Sequence, residues 1–296
     1  MDSSVSPLRQ VLILFLIMLG TGLIGNLVAE GLSLLGGHSL STLVRSTDLT
    51  GGERLWLRLG LMINHFSMFL GAALVFAYCF HRNTFSRYLR AYGTIDAKNL
   101  LIWGAAILFS YPLVAFLTEL NGSIPLPQWA QAGQDDAFLM LSNVLKMDGI
   151  GDLIISLILV GVLPALGEEL IFRGIVQNKL SESLSNPHTA IVIASILFGL
   201  THMQLERIIP LSFLGVLLGY SYYYSRSIYV PIILHFLNNS LQVISLYSIE
   251  ELDPDILKNT PDIPITLIIG SALAVGTLFL FGQKQADSLH ETHPDN

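Results

Sequence analysis

Three clusters of polar side chains interrupt the apolar second half of this chain, and their types make up a hydrolytic set. Glu168 and Glu169 precede Arg173 in EELIFR, His202 ends FGLTH, and His235 leads Asn238 and Asn239 in HFLNN. A carboxylate held in a low-dielectric site is a stronger base than one in water, because burial penalises its charged form. With an imidazole beside it, such a carboxylate could take a proton from a water molecule as that water attacks a carbonyl. A second imidazole and a carboxamide could donate hydrogen bonds to the developing oxyanion, a contribution of about 2.7–4 kcal/mol per donor. The same residue types allow another chemistry, in which Glu168, His202 and His235 ligate a divalent metal such as Zn²⁺ and leave a position open for water. A covalent route has no evident nucleophile: GxSxG and HExxH are both absent, and the single cysteine, Cys79, lies on a distant apolar stretch.

Spacing assigns tentative roles. At 3.6 residues per turn Glu169 and Arg173 share one helical face and can pair. That pairing would leave Glu168, about 100° round the helix, as the carboxylate for proton transfer. His235 and Asn239 have the same spacing and point the same way. Taken singly, each cluster has a bland reading: an intrahelical ion pair, a helix-end histidine at an interface, and hydrogen bonds between packed helices. Their joint occurrence favours chemistry, since an ionisable residue inside a membrane span costs at least about 2.5–3.5 kcal/mol. Glu30, Asn64, His65 and Glu119 belong to no such pattern and read as packing or interface residues, and Gly215 with Gly219 reads as a close helix contact.

The surroundings that must position these groups are membrane helices. Of 296 residues 52% are hydrophobic and 12% charged, with a mean hydropathy of +0.61. A soluble domain carries about 25% charged residues, so this chain lacks the polar surface to coat a water-soluble globule. The fold class is an all-α polytopic helix bundle. Disorder and a disulfide-stapled module are excluded by the same figures. A net charge of −7 with no basic stripe excludes nucleic acid as a partner. Eight apolar stretches approach the length of a span, at 10–30, 60–80, 100–120, 150–173, 189–204, 208–225, 228–247 and 263–282. Nine Lys and Arg then fall on one side and six on the other, which puts both termini in the cytoplasm. The loop 36–59, with Arg45, Arg54 and Arg58 on the outer side, argues against that orientation, and the loop 81–99 argues for it. Segments 121–149 and 250–262 read as external loops, residues 283–296 as a polar tail without structure, and residues 1–296 as one membrane domain.

At the three clusters the chain resembles a known family. EELIFR fits EExxxR, FGLTH fits FxxxH, and HFLNN fits HxxxN. In this order on successive apolar segments, they resemble the CAAX prenyl protease type II family, also called the CPBP or ABI family of intramembrane endopeptidases. The resemblance covers about residues 150–247, and the first three spans match nothing. It implies a catalytic core there, in which Glu168 activates water with His202, His235 and Asn239 form the oxyanion site, and Glu169 and Arg173 support them. The family has been described both as metalloprotease and as glutamate-dependent, so a metal stays open. The implied partner is a peptide or lipidated protein substrate at the bilayer, and a bacterial cytoplasmic membrane fits the short loops. The rivals are a non-catalytic immunity or scaffold protein of the same fold, and a transporter using the Glu/His cluster as a proton relay. The chain has no internal repeat of the kind that transporters favour, which ranks the last lowest.

Overall fold

The computed structural model describes residues 5–82, 84–91, 95–247, 249 and 262–292, and among them there is no strand. The helices are α1 (Pro7–Leu35), α2 (Gly51–Phe80), α3 (Ala97–Phe109), α4 (Tyr111–Gly122), α5 (Gln128–Leu145), α6 (Ile150–Leu184), α7 (Pro187–Thr201), α8 (Ile208–Ser225), α9 (Tyr229–Tyr247) and α10 (Ile265–Thr292). The chain is an all-α membrane helix bundle. Large apolar side chains face outward along α1 at Leu12, Leu16, Leu19, Leu23 and Leu27, as expected of a helix in contact with lipid rather than water.

All eight apolar stretches are helical, but fewer qualify as complete spans. Five are long and apolar enough to cross a membrane, and a sixth if the pair α3 and α4, bent by 46°, counts as one. The shortfall has physical causes. Helix α7 has 15 residues, about 22 Å at 1.5 Å per residue against a hydrocarbon core of about 30 Å. Helix α8 ends in Tyr220, Tyr222, Tyr223 and Tyr224, which dilute its apolar character. The bend between α3 and α4 falls at Pro112, which brings no N–H to the ladder. Ser271 bridges the break one residue on, since its hydroxyl donates to the Phe109 carbonyl at 2.7 Å and accepts from the Leu113 N–H at 3.3 Å.

Segment 121–149 is not a plain loop, because α5 occupies most of it. Helix α10 runs on through Thr292, into the segment whose polar composition suggests no structure. Of the acidic segment 250–262, all but Asp262 lies outside the described residues. The chain divides into two compact units: residues 1–85, 126–171 and 235–259, and residues 86–125, 172–234 and 260–296.

In the first unit, Ala29, Leu40, Leu43, Leu49, Leu57, Val144 and Leu159 form the core. Helix α1 lies close to α2 at Gly25, where a Cβ would stand 2.5 Å from the Ser67 Cβ. A capping box opens α2: the Thr50 hydroxyl accepts from the Glu53 N–H at 3.3 Å and the Glu53 carboxylate accepts from the Thr50 N–H at 2.8 Å. The arginines that argued against the orientation are neutralised locally. Buried Arg54 pairs with Asp148 and buried Arg58 with Asp152, while exposed Arg45 stands 3.6 Å from Asp136. Arg58 also donates to the carbonyls of Val144 (3.0 Å) and Lys146 (2.6 Å).

In the second unit, Trp103, Ala106, Ile107, Leu217, Leu218, Tyr224, Val230, Leu234 and Val275 form the core. The closest helix pair is α7 with α8, and glycines allow it. A Cβ on Gly199 would lie 2.6 Å from Ser212 Oγ and 2.9 Å from the Ile208 carbonyl. On α8, a Cβ at Gly215 would meet Ser195 at 3.0 Å and one at Gly219 would meet Ile191 at 2.8 Å. The GxxxG pair is thus a close contact, as its spacing suggests.

Candidate active site

The first cluster sits on a helix of altered pitch. Helix α6 winds as a π turn over Leu157–Val162, as an α-helix over Leu163–Glu169, and as a π turn again over Leu170–Gln177. Pro164 supplies a local cause for the first π turn. In an α-helix its nitrogen would donate to the Val160 carbonyl, and proline has no hydrogen to give. The Asn239 side chain serves that carbonyl instead, with Nδ2 donating to it at 2.9 Å. A proline in one motif-bearing helix therefore creates the acceptor that an asparagine of another uses.

Within the first unit the structure joins Glu169 to His235 and the helix of Glu168 and Glu169 to Asn239 through the Val160 carbonyl. Glu168 is 6% exposed, Glu169 0% and His235 3%. His235 Nδ1 lies 2.8 Å from Glu169 Oε1. With Glu169 ionised, the imidazole proton sits on Nδ1, and a neutral ring then offers Nε2 only as an acceptor. His235 can donate to an oxyanion through Nε2 only as the imidazolium. Asn239 commits one amide hydrogen to Val160, and its Oδ1 accepts from Asn238 Nδ2 at 3.0 Å. The neighbouring amides are thus tied to each other.

Two residues beside this cluster were not legible as part of it. A Cβ on Gly167 would stand 2.7 Å from the Phe69 Cβ and 3.6 Å from His65 Nε2. His65 stacks on Phe69 with ring centroids 4.5 Å apart, at the start of a third π turn, Phe66–Gly71. His65 belongs to none of the three motifs. The only available signal was the small residue directly before the paired glutamates.

Arg173 and His202 lie in the second unit. Arg173 Nη2 donates to the Gly215 carbonyl at 3.0 Å, and the guanidinium lies over the Phe198 ring at 4.7 Å. One turn on, Gln177 Nε2 donates to the Gly219 carbonyl at 3.1 Å. His202 follows the last residue of α7, with Nδ1 2.9 Å from the Phe198 carbonyl. A carbonyl can only accept, so Nδ1 carries the proton and the basic lone pair is on Nε2.

Among the described residues, no three His, Cys, Asp or Glu side chains form a group that would hold a metal ion. Glu168 and His235 belong to the first unit and His202 to the second, and no chemical step below passes through a metal.

No curated protein and no solved structure matches this chain. A family model does, and its segment takes in all three clusters. Over residues 150–241 the chain matches the family described as Type II CAAX prenyl endopeptidase Rce1-like, the family that the three motifs resemble.

Proposed function

We propose that this protein is an intramembrane endopeptidase that hydrolyses a peptide bond of a membrane-associated substrate with an activated water. The observation that carries the reading is the pair of adjacent buried carboxylates, of which Glu169 engages His235 at 2.8 Å. Two like groups with different surroundings can take different roles. Glu168 takes the proton of the attacking water and then returns it to the leaving amine. The His235 imidazolium, held by Glu169, donates to the oxyanion, and Asn239 adds its second amide hydrogen. His202 enters the proposal through its motif, with Nε2 as its basic atom.

The test compares wild type with Glu168→Gln, both reconstituted in bilayers, on quenched peptides with and without a prenyl group. The variant should lose at least about 10²-fold in kcat, the usual worth of a general base, and should melt within a few degrees of wild type. Cleavage by Glu168→Gln at the wild-type rate would refute the assignment. A dependence of wild-type cleavage on the prenyl group would define the substrate class.

A further inference from the structure

The cationic loop after α2 takes no part in this chemistry, yet its second half builds a polar pocket in the second unit. Arg87, Tyr88 and Arg90 from the loop, with Asn178, Ser181 and Glu182 from the last turns of α6, line a cavity of about 410 Å³. The loop turns tightly here. Arg90 has φ 56°, its N–H donates to the Arg87 carbonyl at 3.0 Å, and the Ala91 N–H donates to the Ser86 carbonyl at 2.8 Å. A left-handed conformation suits glycine or asparagine better than arginine. Asn178 fastens the walls, with Nδ2 within 3.3 Å of the Tyr88 carbonyl and 2.9 Å of the Tyr222 hydroxyl.

Charge in the pocket is unbalanced. The Glu182 carboxylate is met by Lys179 Nζ at 3.0 Å, and that ammonium also lies 4.7 Å from the centre of the Tyr88 ring. Among the described residues neither Arg87 nor Arg90 has a carboxylate partner. The Arg90 guanidinium rests over the Tyr222 ring at 5.2 Å. Two arginines and a serine therefore line a cavity whose one carboxylate is engaged by Lys179. Arginine forks match phosphate oxygens in geometry as well as in charge. Asn178, Ser181 and Glu182 lie within two turns of the end of α6, which for a spanning helix is headgroup depth.

We propose that this pocket binds a phosphate group at the membrane surface, carried either by an anionic lipid headgroup or by a soluble phosphate. The site is separate from the hydrolytic residues and stands whether or not the protease reading does.

The experiment uses the full chain in phosphatidylcholine nanodiscs with a minor fraction of phosphatidylglycerol. Retained phosphatidylglycerol is counted by native mass spectrometry. Wild type should bind it about tenfold more tightly than Arg87→Gln/Arg90→Gln, given the usual gain per basic residue at an anionic surface. Arg87→Lys/Arg90→Lys should fall between them, and Arg82→Gln, in the same loop but not lining the pocket, should match wild type. Ser181→Asp, which puts a negative charge in the wall without touching the arginines, should also lose binding, so misfolding of one variant does not decide the result. In a second arm, inorganic phosphate is titrated against melting in detergent. Stabilisation by phosphate without retention of phosphatidylglycerol would assign the site to a soluble phosphate, and retention would assign it to lipid. Equal lipid retention by wild type and all variants, with no thermal response to phosphate, would overturn the proposal.

Discussion

His235 Nδ1 and Glu169 Oε1 are 2.8 Å apart, both on side chains almost wholly buried, so the two neighbouring glutamates of EELIFR do different work. Glu169 holds the imidazole of the HFLNN cluster, and Glu168 is the carboxylate assigned to water. Replacing them should separate two effects. Glu168→Gln should lower kcat with little change in stability. Glu169→Gln should lower both, since breaking a buried pair costs about 3–5 kcal/mol. A double-mutant cycle of Glu169→Gln with His235→Gln, read by thermal unfolding, should give a coupling well above the roughly 0.5 kcal/mol seen between independent sites. A coupling near zero would mean that the pair is incidental.

Pro164 and Asn239 should be linked through Val160. Asn239→Leu removes the donor to the Val160 carbonyl and should destabilise by about 1–3 kcal/mol, the cost of an unsatisfied buried acceptor. Pro164→Ala returns a backbone N–H to that turn, so Asn239→Leu should cost less in the Pro164→Ala background. Melting temperatures of the four proteins check this, and strict additivity would break the link.

Gly167→Ala should be damaging out of proportion to one methyl group. Its Cβ would lie 2.7 Å from that of Phe69, and overpacking of this kind costs about 1–3 kcal/mol. Phe69→Ala in the same chain should recover part of the loss, which a comparison of yield and melting would register.

The arginines of the segment 36–59 should differ sharply among themselves. Arg58 is 1% exposed and bonds to Asp152, Val144 and Lys146, so Arg58→Ala should cost about 3–5 kcal/mol. Arg45, whose side chain is 75% exposed at 3.6 Å from Asp136, should be replaceable by Gln at no more than about 1 kcal/mol. Equal effects in unfolding titrations would contradict the buried assignment.

Chelation should leave cleavage unchanged within about twofold if water is activated by Glu168 without a metal. A larger loss restored by Zn²⁺, in a chain whose fold is unaltered, would return Glu168, His202 and His235 to the role of ligands. Activity after exhaustive dialysis against chelator, then after metal readdition, decides it.

Much of this was legible in the residues, and the parts that were not share a cause. Apolar runs located every helix of a candidate span, because burying a backbone in lipid leaves few alternatives to a helix. Their number as complete crossings was not legible. The length of α7 depends on where Asn186 and Pro187 start it, and the bend at Pro112 depends on what repairs the ladder around it. The three clusters were found through residue type and order. The contact of Glu169 with His235 was not, since it joins two helices 66 residues apart and no local spacing encodes it. His65 was passed over because proximity to Gly167 is a tertiary fact without a local pattern.

A π turn is an α-helix that has accommodated extra chain, and this has a consequence for the tolerance of the protein to changes in length. Removing one residue from Leu157–Val162 would leave the segment just as apolar and would let it relax to ordinary α geometry. Because the wide turn holds the surplus residue, the turns beyond it would keep their facing and Glu169 would still meet His235. A single-residue deletion from the regular stretch Leu163–Glu169 would instead turn the later side chains by about 100°, so α6 is expected to tolerate a change of length in the π turn and to lose the site when the same change falls next to the glutamates.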